Sequence, residues 1–192
     1  MTKVQMGPGT YIYPMPTLLV GANVDGRPNF MTVAWGNIAN AEPPMAAVAI
    51  RAKRYTRIGI EQNKTFSVNI PSADLVKEAD YCGIVSGAKV DKVQACQFTV
   101  FHGKLGTAPM IEQCPINLEC RVRHSLELGS HILYVGQIEE VHASSDCLTE
   151  GRLDLDKVKP LAYMEVPSPE YYTLGEPQGK AFSVGREIKS RE

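Results

Sequence analysis

The chain has no Cys-x-x-Cys, no His-x-His and no pair of histidines spaced for a shared metal. Its five cysteines (Cys82, Cys96, Cys114, Cys120, Cys147) and four histidines (His102, His124, His131, His142) are scattered. An odd set of thiols without close histidines is a poor zinc site and a poor disulfide framework, so reduced, mostly buried thiols are expected. No strongly apolar run approaches the roughly 20 residues that span a bilayer, and no charged N-terminal stretch leads into an apolar one. The longest such runs are 14–22 and 43–50. An unexported, cytoplasmic protein with no membrane partner is the expectation. Neither charge sign is in excess: 20 Lys and Arg against 21 Asp and Glu give a net charge of −1, with the basic residues in small clusters. That leaves no footprint for a nucleic-acid backbone. Neither a Gly-x-Gly-x-x-Gly fingerprint nor a Walker lysine loop is present, so a bound nucleotide would need another architecture.

One Ser-x-x-Lys, Ser86 to Lys89, matches the nucleophile element of penicillin-binding enzymes. No Ser-Asp-Asn or Lys-Thr-Gly follows it, and the serine-catalysis reading fails on its companions. What is present is apolar material enough for one core: 192 residues, 44% hydrophobic. That is long enough for one well-buried domain and short for two. A single domain over 1–192 is expected, with an irregular arm at 1–15, where Gly7-Pro8-Gly9 and Pro14-Met15-Pro16 prevent regular structure, and a surface tail from about 167 to 192.

Short strands dominate the pattern. Residues 17–22 are apolar on both parities, which argues a strand buried on two faces, and Asp25-Gly26 reverses the chain as a hairpin. Residues 29–36 follow, carrying the only tryptophan, Trp35, at the end of a β-branched run. An indole beside backbone amides at a strand end suits a flat conjugated ligand, or it fills a core. Residues 45–50 form another apolar strand, ending in the basic rim Arg51, Lys53, Arg54. A short helix follows with Thr56 as its cap; 65–71 alternates as a strand stopped by Pro71; 72–85 has helical spacing with Ser72 as cap. After an irregular connection at 103–115, residues 116–127 alternate most clearly, as a half-buried strand with His124 on its core face. Residues 131–138 form its antiparallel partner, and 160–165 a last short strand. The expected fold is mainly β (α+β), an antiparallel closed or half-open barrel with a few short helices.

Three sets suit an anion: Arg51, Lys53 and Arg54 with Tyr55 and Thr56; the segment from Ser86-Gly87 to Lys92; and the amides opening the helix after Thr56. Each alone reads equally as solvated polar residues. Two of them beside an aromatic strand end point to a phosphorylated aromatic cofactor.

These residues carry a resemblance. In order, Leu19-Val20-Gly21-Ala22, Asn29 through Trp35, Pro43-Pro44, Phe66-Ser67-Val68-Asn69, Ser86-Gly87 with Asp91-Lys92, His131 through Gly136, and Pro160-Leu161-Ala162-Tyr163 resemble the flavin reductase-like family, most closely its flavoredoxin branch. The resemblance implies a Greek-key FMN-binding split barrel, a homodimer with noncovalent FMN near the subunit interface, and electron transfer through that flavin. The donor would be NADH or NADPH and the acceptor a flavin, a ferric chelate or another small molecule; the alternative is a protein-to-protein electron carrier with a redox partner protein. It also implies the site: Asn29, Met31, Thr32, Val33, Ala34 and Trp35 along the isoalloxazine and ribityl chain. Arg51, Lys53, Tyr55 and Thr56 would hold the phosphate end, with Ser86, Gly87 and Lys92 completing the polar shell. His131, from either subunit, and Met164 would lie near the ring. No catalytic side chain is then required, because the flavin carries the electron chemistry.

Overall fold

A computed structural model describes residues 1–191. In chain order, β1 (Met15–Pro16), β2 (Leu18–Val24), β3 (Arg27–Val33), β4 (Gly36–Asn40) and β5 (Met45–Arg51) precede helix α1 (Thr56–Asn63). Then come β6 (Thr65–Ile70), α2 (Val76–Ile84), α3 (Lys92–Ala95), β7 (Val100–Phe101), β8 (Met110–Ile111), β9 (Ile116–Glu127) and β10 (His131–Ala143). The chain continues through β11 (Leu148–Thr149), β12 (Arg152–Leu153), α4 (Leu155–Val158), β13 (Leu161–Met164) and β14 (Glu170–Thr173). No described helix is long and apolar enough to cross a membrane.

Seven strands form one antiparallel sheet in the order β3-β2-β6-β9-β10-β5-β4. Its two edge strands, β3 and β4, are consecutive in the chain and separated only by Ala34 and Trp35. A sheet whose edges are joined by two residues must curl until those edges meet, so the barrel is split along the β3–β4 seam. That seam is where Trp35 sits. The β2–β3 hairpin closes through Asp25 (φ 50°) and Gly26 (φ 78°), the paired positive φ values whose twist matches flanking strands.

Alternation sorts the side chains into two cores. Leu18, Val20, Ala22, Met31, Val33, Val48, Ile50, Phe66, Leu118 and Tyr134 fill the barrel. Leu19 and Phe30 point outward and pack with Ala79, Cys82, Phe98 and Ile111 beneath α2. Strand β2 is therefore buried on both faces, as its unbroken apolar run requires. All five cysteines are free thiols.

Strand β9 departs from the expected half-buried ribbon. From Ile116 to Cys120 it is buried on both faces, and from Arg123 to Glu127 it is exposed on both. The connection 99–115 covers the outer face of the first half: Asn117 donates to Asn69 Oδ1 (2.8 Å) and to Ile111 O (2.9 Å), and Glu119 is wholly enclosed. The second half outruns that cover, so His124 is exposed and is no core histidine. Ser72 makes no side-chain cap; it precedes a single 3₁₀ turn that leads into α2. Part of the tail is ordered as β14, which pairs with β13.

Candidate functional site

The β3–β4 seam opens into a cleft of about 300 Å³. Cross-strand register assembles it: β10 starts at His131 opposite Arg51, and Ala49 N donates to Trp35 O (2.8 Å). Trp35 is 39% exposed and stacks on His131 with ring centroids 4.6 Å apart and planes 28° from parallel. Burial, reinforced by the Arg51 guanidinium, holds His131 below the ordinary histidine value, so the ring facing the indole is a neutral imidazole near pH 7. Trp35 is thus no core residue, and both aromatic partners come from one chain. The remaining walls are Met31, Thr32, Val33, Ala34, Ala49, Arg54, Tyr163 and Glu165.

Met31 and Arg54 also line a second recess of about 150 Å³, completed by Lys53, Tyr55, Thr56, Val85, Ser86, Gly87 and Lys92. Two local devices build it. Asp91 caps α3 by accepting from Gln94 N (3.1 Å), which sets Lys92 at the first helical position. Asn29 donates from Nδ2 to Thr56 Oγ1 (2.7 Å), and Gly87 packs so closely on Asn29 that a Cβ there would overlap its amide oxygen. Thr56 is consequently the first residue of α1 and the acceptor of that brace, with no side-chain capping bond; the N-cap position is Tyr55.

Lys92 is 4% exposed. Its ammonium donates to Phe30 O and Cys82 O, both at 2.8 Å, and has one further N–H. Burial, with a smaller contribution from the Arg54 charge, lowers its pKa from the lysine value. Arg54 donates to Gly83 O (3.1 Å). Among the described residues, none of Arg51, Lys53, Arg54 and Lys92 forms an ion pair with a carboxylate. A recess lined by three cations and no counter-ion is electrostatically built for an anion. The neighbouring cleft, with an indole, an imidazole and apolar walls, fits a flat conjugated group.

The expected site residues therefore line these two clefts, with two exceptions. Asn29 lies outside both clefts and lines an adjoining recess with Tyr55, Gly87, Lys89, Asp91 and Lys92. Met164 borders none of these clefts; its neighbours Tyr163 and Glu165 do, because successive strand residues face opposite sides. Tyr163 and Glu165 were missing from the expected set, and Arg54, expected only as part of the anion-binding rim, also borders the aromatic cleft. The basic run 51–54 holds the signal for Arg54, and period-2 alternation around Met164 holds it for the other two.

Residues 10–166 match the flavin reductase like domain family. The structure resembles the flavoredoxin of Methanosarcina acetivorans at 42% identity and TM-score 0.93, covering 98% of this chain and 100% of that one. It resembles the flavoredoxin of Desulfovibrio vulgaris (Miyazaki F) at 38% identity and TM-score 0.88, over 96% and 100% of the two chains. An FMN-binding protein from Thermus thermophilus, crystallised with 1-cyclohex-2-enone, is 26% identical with TM-score 0.78, over 94% and 97%. A split barrel whose seam carries an aromatic cleft and an uncompensated cationic recess, matched over most of its length, belongs to the flavin reductase-like family.

Proposed function

We propose that the chain is an FMN-dependent oxidoreductase. It takes reducing equivalents from NADH or NADPH and passes them to a flavin, a ferric chelate or another small acceptor. The observation that carries this is the junction of two environments at Met31 and Arg54: the cationic recess on one side and the Trp35–His131 cleft on the other. FMN joins the same two chemistries, a phosphate and a planar tricyclic ring. Bound there, FMN supplies two-electron and one-electron transfer, which no side chain of the site can perform.

The protein's part is to bind, orient and shield. Lys53, Arg54 and Lys92, with the hydroxyls of Thr56 and Ser86, hold the phosphate end by charge-assisted hydrogen bonds. Met31, Thr32, Val33, Ala34 and Trp35 cover the ring, and neutral His131 backs the indole. The Asn29–Thr56 brace and Gly87 fix the spacing between the two ends. As the family resemblance implies, the working unit is a homodimer in the cytoplasm. A second reading, an electron carrier between proteins, draws support from the full-length likeness to two flavoredoxins.

Titration of the flavin-free protein tests the cofactor. FMN binds at least about tenfold tighter than riboflavin, since charged hydrogen bonds contribute roughly 1.5–3 kcal/mol. Equal affinities would remove the phosphate end. Anaerobic NADH or NADPH then separates the two functions: bleaching of the flavin spectrum within the mixing time of a turnover assay marks the oxidoreductase, and an unchanged spectrum marks the carrier.

A further inference from the structure

The cationic recess has a neighbour larger than itself. Tyr55, Gly87 and Lys92 line both the recess, of about 150 Å³, and a cavity of about 280 Å³ beside it. That cavity runs between the start of β3 and the loop ahead of α3, so that Arg27 and Asn29 face Lys89 and Asp91. A phosphate monoester held by Lys53, Arg54 and Lys92 in the recess leaves this second space unused.

The charges of the cavity are uncompensated. Arg27 and Lys89 are exposed at its rim, and among the described residues neither forms an ion pair. Lys92 is 4% exposed, and its ammonium keeps one N–H beyond those given to Phe30 O and Cys82 O. The one carboxylate of the lining, Asp91, is engaged at Oδ1 by Gln94 N (3.1 Å). Three cations against one carboxylate in a concave place focus a field that attracts anions. The lining also holds more than an ion requires. Val24, Pro28 and Val90 add apolar surface, and the Tyr55 ring packs so closely on Gly87 that a Cβ there would come within 2.9 Å of its edge. Cations beside an aromatic face and apolar walls suit a phosphate joined to a base.

We propose that this cavity binds a second phosphoryl group, that of a nucleotide set beside the flavin phosphate, with Arg27 and Lys89 as its counter-ions and Lys92 shared between the two phosphates. The inference rests on the flavin reading of the adjoining recess. Neighbouring phosphates repel each other, and a buried ammonium common to both offsets that repulsion. The second phosphoryl group belongs either to a free nucleotide or to a dinucleotide form of the flavin; both present the same chemistry to Arg27 and Lys89.

Two calorimetric titrations separate these sources: ADP into the FMN-loaded protein, and FAD into the flavin-free protein. A free nucleotide shows as one-to-one binding of ADP with FMN retained, and a dinucleotide as FAD binding at least as tight as that of FMN. In either case Arg27→Gln combined with Lys89→Gln weakens that ligand roughly three- to tenfold, the screened effect of exposed charges. FMN affinity and the melting temperature hold in the same variant, and adenosine, which lacks a phosphate, does not bind. Absence of ADP binding together with FAD weaker than FMN overturns the proposal. So do ADP and FAD affinities unmoved by the double substitution, or adenosine binding as tightly as ADP. Loss of FMN affinity equal to that of the second ligand overturns it too, by returning both cations to the first phosphate. Equal wild-type affinity for FMN and riboflavin would instead refute the phosphate end of the flavin reading, and ADP titrated into the flavin-free wild-type and variant pair would still decide the cavity.

Discussion

Lys92 and Glu119 are both buried charges, at 4% and 0% exposure, yet their surroundings are opposite in kind. Glu119 is saturated: Lys104 N (3.2 Å), Leu105 N (2.8 Å) and His142 Nε2 (2.8 Å) all converge on its carboxylate. Burial alone would raise its pKa, but the His142 bond and the two backbone N–H groups outweigh that and hold it below the usual carboxylate value. Lys92 has two neutral carbonyls, a spare N–H, no counter-ion, and open cavities on two sides. The carboxylate is complete without a ligand and ties the 103–105 segment to β9. The ammonium is incomplete, and its shortfall faces the recess. Completeness, rather than burial, separates a charge that maintains the fold from one that awaits a partner.

Substitution is the strongest way to break this contrast. Glu119→Ala strands three donors, and removal of one partner from a buried charged network costs about 3–5 kcal/mol. The urea midpoint should fall steeply, and FMN affinity measured on the folded fraction at low temperature should be unchanged. A smaller effect of opposite distribution is expected from Lys92→Met: FMN weakens roughly tenfold or more, riboflavin barely changes, and the apoprotein midpoint moves less than in the Glu119 variant. Equal weakening of both flavins would assign Lys92 to the ring or to the fold.

The mildest probe is pH. Glu119 has a depressed folded pKa, so its stabilisation is present above the unfolded value near 4.3 and is lost as pH falls through the folded one. Lys92 is also depressed, so raising pH through its folded value toward the unfolded value near 10.4 favours the apoprotein. A phosphate needs Lys92 protonated. As pH rises through the folded Lys92 value, FMN affinity should therefore decline while apoprotein stability does not, as parallel binding and melting series would read. Parallel decline would mean that Lys92 supports the fold.

Local signals were legible where backbone chemistry determines them. Asp25-Gly26 announces its hairpin, Pro71 ends β6 at Ile70, and the unbroken apolar run of β2 requires two cores. The lining of the two clefts was legible because most of it clusters in short runs, 29–35, 51–56 and 86–92. What failed depends on contacts distant in sequence. Period-2 alternation places Glu119 on a solvent face and His124 in a core, because it cannot see that the 99–115 connection covers one half of β9 and stops short of the other. Thr56 resembles a cap, but Asn29, 27 residues earlier, claims its oxygen. Met164 was chosen for its place in a motif, while strand parity gives the cleft Tyr163 and Glu165.

The uncovered half of β9 has its own consequence. Val122 N still reaches Lys64 O (2.9 Å), but from Arg123 to Glu127 the strand pairs only with β10, leaving one row of peptide groups open. Such a row is a template on which a foreign strand can add. Arg123 opens it, with its guanidinium directed to Gln137 and Glu139 on β10. Charged side chains within the open stretch, Arg123 and Glu127, blunt such addition, because an incoming strand must strip water from them to reach the amides. Ordinary surface charge here is protection against fibril growth.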